Sequence, residues 1–147
     1  MQNVLVPIST LGDAGWAAGQ AIARYRKEPV RIHLLNVQRP LPRHVSRFFG
    51  GGDLRDFHRD AGMGVLELAI RLLDEAGVPH QDHVLVGNQA ETIVQFAEEN
   101  KCEVILEAQS AGLLSVFGLG SIGSQVRHLM QAHAAAAAPR PGASNPT

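Results

Sequence analysis

The sequence predicts an α/β domain: a doubly wound, mostly parallel open sheet with helices on both faces. Three observations carry this expectation. Short apolar runs recur at Val4–Ile8, Ile32–Val37, Val84–Val86 and Val104–Leu106, each of the length of a strand buried on both sides. Stretches with apolar residues at helical spacing separate them. Pro, Gly and Asn mark the joints between the two kinds of segment. An order of βαβαβαβα argues for parallel strands joined by crossover helices.

Taken in order, Val4-Leu5-Val6 with Ile8 reads as a buried strand interrupted near its end by Pro7, where a missing N–H matters least. Asp13 is placed to cap the next helix, whose stripe is Ala14, Ala17, Ala18, Ala21, Ile22 and Tyr25, with Pro29 as its stop. Ile32, Leu34, Leu35 and Val37 form a second strand, closed by Pro40 and Pro42. Residues 38–53 read as an irregular, flexible loop: basic Arg43, His44 and Arg47, then Phe48-Phe49, then Gly50-Gly51-Gly52. The segment is either a lid or partner surface or an insertion without a role.

A long helix follows, with Leu54, Phe57, Ala61, Val65, Leu68, Ala69, Leu72, Leu73 and Ala76 expected on its buried side. Gly62 and Gly64 weaken its first half, and Gly77 with Pro79 ends it. After the strand at 84–86, Asn88 and Glu91 form a capping pair for a short helix burying Ile93, Phe96 and Ala97. The fourth strand, at 104–106, leads into a glycine- and serine-rich loop. The last helix presents Ile122, Val126, Leu129 and Met130 on one face. Residues 134–138 are all alanine and prolong that helix toward Pro139, before a tail of disordered type. The domain is therefore expected at 1–133, with 134–147 as an alanine-rich extension and tail.

With 147 residues the chain is long enough for one core without staples. Thirteen basic against 14 acidic residues leave a net charge of -1, so no bulk field favours nucleic acid or an anionic membrane. No apolar run approaches the ~18 residues of a membrane span. Cys102, the single cysteine, excludes an intrachain disulfide and reads as an inert, half-buried thiol in a reducing cytoplasm. The start MQNVLVPIS lacks a basic region followed by a long apolar core, so no signal peptide is expected.

The loop before the last helix is where chemistry is sought. A strand, a glycine-rich loop and a helix start offer backbone N–H groups to an anion. Gly120, Ser121, Gly123 and Ser124 are the candidate weak anion site, with Ser121 or Ser124 as helix cap the plainer role. Gly118, Gly120 and Gly123 spell GxGxxG, but no acidic residue follows about 20 positions on, and the dinucleotide fingerprint is rejected. His80 and His83, and His128 and His133, lack further ligands at metal spacing and read as exposed or locally hydrogen-bonded. Ser9, Asp13 and a histidine have no nucleophile elbow to make them a triad. Trp16 and Tyr25 read as packing residues.

The start NVLVPIS, the segment GNQAETIVQFAEENKCEVILEA and the closing GSIGSQVRHLM together resemble the universal stress protein family over roughly residues 2–131. The resemblance implies an adenine nucleotide alpha hydrolase-like sheet of five strands in the order 3-2-1-4-5, cytoplasmic homodimers and, in one branch, bound ATP. That branch carries a glycine after strand four, a second three residues on, a Gly-Ser pair after nine more, and an aspartate after strand one. Gly120-Ser121 matches the closing pair, whereas Glu107, Ser110 and Ser9 stand at the other three positions. The resemblance thus implies a non-enzymatic stress-response protein with a degraded ATP motif and no bound cofactor. The alternative is a nucleotide-binding member with weak ATP hydrolysis. Alanines occupy the place of the family's closing strand, so a homodimer or a protein partner is expected along strand four.

Overall fold

The computed structural model describes residues 1–106 and 122–137. Glu107, Ser110, Gly118, Gly120, Ser121 and the tail from 138 lie outside the described residues. Within them the chain forms β1 (Asn3–Pro7), α1 (Leu11–Lys27), β2 (Arg31–Gln38), α2 (Arg43–Ser46), α3 (Gly51–Glu75), β3 (His80–Val86), α4 (Gln89–Glu99), β4 (Cys102–Val104) and α5 (Ile122–Ala137). The four strands pair in the order β3-β2-β1-β4, every pair parallel. This is the expected doubly wound sheet, and it matches the first four places of the order 3-2-1-4-5.

Alternation along each strand divides the core into two layers. Val4 and Val6 of β1 with Ile32 and Leu34 of β2 face α1 and α3. Leu5, Leu35 and Val37 face α4 and α5, joined there by Ile93, Val94 and Val126. The buried line of α1 is Ala14, Ala17, Ala18 and Ala21, small residues that let it lie close to the sheet and α3. Trp16 and Tyr25 pack at the margin of that layer, as the sequence suggested.

Five expectations need correction. Asp13 is not the cap of α1: Thr10 occupies that position without a side-chain hydrogen bond, and Asp13 sits inside the first turn, where its charge faces the positive helix end. The stretch 38–53 is not one irregular loop. It contains α2, and Gly51 and Gly52 already form the first turn of α3, with Gly50 at its cap.

The buried line of α3 keeps the expected Ala69 and Leu73 but otherwise runs through His58, Gly62 and Leu66, with Val65, Leu68, Leu72 and Ala76 packed partly buried beside it and Phe57 44% exposed. The cause is Gly62. A Cβ built there would overlap Val84 Cγ1, lie 2.6 Å from Val84 Cγ2 and sit 3.1 Å from Asn36 Oδ1. The helix approaches the sheet most closely at the residue with no side chain, and that sets its rotation. β3 begins at His80 rather than 84, and Leu85 and Val86 are exposed. Finally, β4 begins at Cys102 rather than 104 and pairs Asn3 with Cys102 and Leu5 with Val104; Ile105 N then donates to Leu5 O at 2.9 Å.

Helix ends follow the sequence more closely. Gly77 takes φ +70, Val78 N donates to Leu73 O and Gly77 N to Asp74 O, the paired bonds of a glycine-terminated helix. Asn88 Oδ1 accepts from Glu91 N at 3.1 Å and caps α4. The alanines carry α5 on to Ala137.

Candidate functional site

In open parallel sheets, ligands gather beyond the carboxyl ends of the strands where the winding direction reverses. Here the reversal lies between β1 and β4, because β2 and β3 continue to one side of β1 and β4 returns to the other. Ile8, Ser9 and Thr10 leave β1 at this point. Asn36, buried on β2, fastens that exit: its Nδ2 donates to Ile8 O at 2.9 Å, and its Oδ1 accepts from Gln38 Nε2 at 2.6 Å. Ile8 N donates in turn to Leu35 O at 2.9 Å. Ser9 is thereby held half-buried at the switch point, in the place where the resemblance had an aspartate.

Beyond the carboxyl ends of β2 and β3, between the starts of α4 and α5, opens a cleft of about 540 Å³. Arg39 and Pro40 line it after β2, Gly87 to Ala90 after β3, and Gln125 from the first turn of α5. Gly87 is fitted tightly here, because a Cβ would stand 2.7 Å from Thr92 Oγ1, and its N–H donates to Gln38 O at 2.9 Å. The cleft brings two helix starts and one guanidinium to the same space. A helix start carries partial positive charge, and arginine adds a full one, so the lining favours an anion. Of the predicted anion-site residues, Gly123 and Ser124 lie in the first turn of α5 with Gln125; Gly120 and Ser121 fall outside the described residues.

His80 is locally hydrogen-bonded and His128 and His133 are exposed, as expected, whereas His83 is paired across the sheet. His80, 9% exposed at its side chain, lies between Asp74 Oδ1 at 2.7 Å and Asp82 Oδ1 at 2.6 Å. Burial works against its protonation, but the two carboxylates outweigh it and raise its pKa above 6.5. His133 bonds Glu98 Oε1 at 2.6 Å and ties α5 to α4. His83 meets His33 of β2, a residue the sequence reading passed over. Its signal was available: a polar residue within the apolar run RIHLLNVQ, at a position alternating with Ile32 and Leu34. Asn36 carries the same signal. His58 is buried on α3 with Nδ1 unpartnered among the described residues. Cys102 is buried, and burial pushes its thiol pKa up, as befits an inert thiol. Among the described residues no group of three or more His, Cys, Asp or Glu converges on a point a metal could occupy, and no helix is long and apolar enough to cross a membrane.

Comparison with solved structures finds the same fold in several proteins. Protein MJ0577, whose structure was used to assign its biochemical function, is 22% identical, with 86% of this chain and 88% of that chain covered and a TM-score of 0.65. A universal stress protein in complex with cAMP is 18% identical over 86% of this chain and 90% of that one, with a TM-score of 0.61. A family protein from Arabidopsis thaliana with AMP bound is 19% identical over 80% and 83%, with a TM-score of 0.53. At these identities the likeness is one of fold. No curated protein matches closely enough to count as a relative. The model of the universal stress protein family matches residues 1–132, nearly the whole described domain, and the chain belongs to that family.

Proposed function

We propose that this chain is a non-enzymatic, cytoplasmic stress-response protein that acts by binding and whose ATP motif is degraded. The observation that carries the reading is the cleft, where Arg39 and the starts of α4 and α5 favour a phosphate-sized anion. Ser9 follows β1 where the ATP-binding branch carries an aspartate. Glu107 would bring a negative charge to the position of the branch's first glycine, and like-charge repulsion in a partly desolvated cleft opposes a triphosphate. Glycine at 107 and 110 would instead let backbone approach a phosphate closely. In this reading Gly120, Ser121, Gly123 and Ser124 hold an anion weakly, and no cofactor is retained. Residues 1–133 form the domain and 134–147 an extension, and a second copy or a protein partner covers β4.

A second reading is favoured by the relatives solved with AMP and with cAMP. In it the same four residues bind an adenine nucleotide and support weak hydrolysis. Calorimetric titration of the purified chain with Mg-ATP, AMP and cAMP separates the two. The expected result is no submicromolar affinity for Mg-ATP, with a gain in the variant carrying Glu107→Gly and Ser110→Gly. Submicromolar binding by the unaltered protein overturns the proposal. Absence of any gain in the variant clears those two residues of responsibility.

A further inference from the structure

The hydrogen bonds around His33 form a chain that the cleft does not use, and their directions follow from chemistry. Asn3 Nδ2 donates to Asn100 O at 3.0 Å, which turns Asn3 Oδ1 toward His33 Nε2, 3.2 Å away. A carbonyl oxygen only accepts, so His33 Nε2 carries the hydrogen. A neutral imidazole has one donor and one acceptor, so His33 Nδ1 is the acceptor. His83 Nε2, 3.0 Å from that atom, is therefore the donor. The two rings lie edge to edge and nearly coplanar, with centroids 5.3 Å apart at 26°, and Phe96 of α4 packs against both, 4.8 Å from His83 and 5.7 Å from His33.

A proton added at His33 Nδ1 spoils this arrangement. It would place two N–H donors face to face at a site where His33 is only 6% exposed. We propose that the His33–His83 hydrogen bond is a proton-operated latch, which holds edge strand β3 and helix α4 against β2 while His33 is neutral and releases them when His33 gains a proton at Nδ1. Release swings His83 toward solvent from the edge of the sheet and frees Phe96. Because α4 also carries the Asn88–Ala90 wall, the latch links proton concentration to the cleft.

The charged surroundings support this direction. Burial lowers the pKa of His33, and His83 and Arg31 lower it further. Burial lowers that of His83, partly offset by Asp82. Asp82 is itself engaged by His80, β1 contributes the neutral Asn3, and α4 offers Phe96, with Glu99 held one turn on by Gln95. Both folded-state pKa values thus fall below 6.5. The unfolded chain takes up protons first as pH drops, so the stability of the closed pair is complete above about 6.5 and is lost below it.

Hydrogen exchange of the full chain, followed by mass spectrometry at about pH 7.5 and pH 5.5 and corrected for intrinsic rates, tests the latch. Exchange in β3 and α4 is expected to quicken by up to about tenfold at the lower pH, the limit set by pH 5.5 lying about one unit below the ordinary histidine value that His33 regains in the open state, while α1 stays unchanged. His83→Gln provides Nε2 to a neutral His33 or Oε1 to a protonated one, so it is expected to abolish the acid response. An equal acceleration in α1, or an undiminished response in His83→Gln, overturns the proposal. Ring-nitrogen NMR of the unaltered chain decides independently of any variant. Nε2–H on His33 with titration below 6.5 supports the latch; Nδ1–H, or titration at the ordinary histidine value, refutes it.

Discussion

Gly62→Ala isolates the contact that orients α3. In an exposed helix interior this change stabilises by about 0.8–1 kcal/mol, since alanine loses less backbone freedom than glycine. At position 62 the new methyl would overlap Val84 Cγ1, stand 2.6 Å from Val84 Cγ2 and press on Asn36 Oδ1 at 3.1 Å. Val84 is branched at Cβ and cannot withdraw both methyls by one rotation. Either α3 lifts from β3 or Val84 leaves its rotamer, and overpacking of this kind costs about 1–3 kcal/mol. The balance is a net loss of up to about 2 kcal/mol. Gly64, with nothing within 4 Å of its built Cβ, is the internal control, and Gly64→Ala should raise stability. Urea denaturation followed by circular dichroism measures both, and Val84→Ala combined with Gly62→Ala should recover part of the loss because the clashing methyls are gone. If Gly62→Ala stabilises as much as Gly64→Ala, or if removing the Val84 methyls recovers nothing, the close approach does not set the helix and the reasoning fails. The consequence reaches the site, because Asn36 holds Ile8 O, and with it the exit of β1 toward Ser9.

Two further outcomes are expected. His80 has its pKa raised above 6.5, so its stabilisation is complete below that value and is lost as pH rises through the folded-state pKa; His80→Gln should therefore lower the urea midpoint more at about pH 6 than at about pH 8.5, and equal losses would refute the assignment. Asp74 is 65% exposed, so salt should weaken its share of the effect. Sedimentation at micromolar concentration should show a homodimer, because among the described residues β4 pairs only with β1; a clean monomer with a protected β4 would count against it.

The sequence by itself determined the class of the fold, the parallel sheet, the end of α3 and the start of α4. Each of these rests on local chemistry: short apolar runs for the strands, Gly77 where a left-handed residue was needed, and Asn88 where a helix start needed an acceptor. The apolar face of α5 was equally legible, with Val126 buried and Leu129 and Met130 packed beside it. Only the tertiary structure decided which way α3 turns, because its rotation follows a missing side chain opposite Val84, and periodicity counts apolar residues rather than gaps. It also decided the partners of His33, Asn36 and His80, which come from strands and helices distant in sequence. The cleft belongs to the same class: Arg39, Asn88 and Gln125 stand far apart along the chain, and parallel winding alone carries their segments to one edge of the sheet.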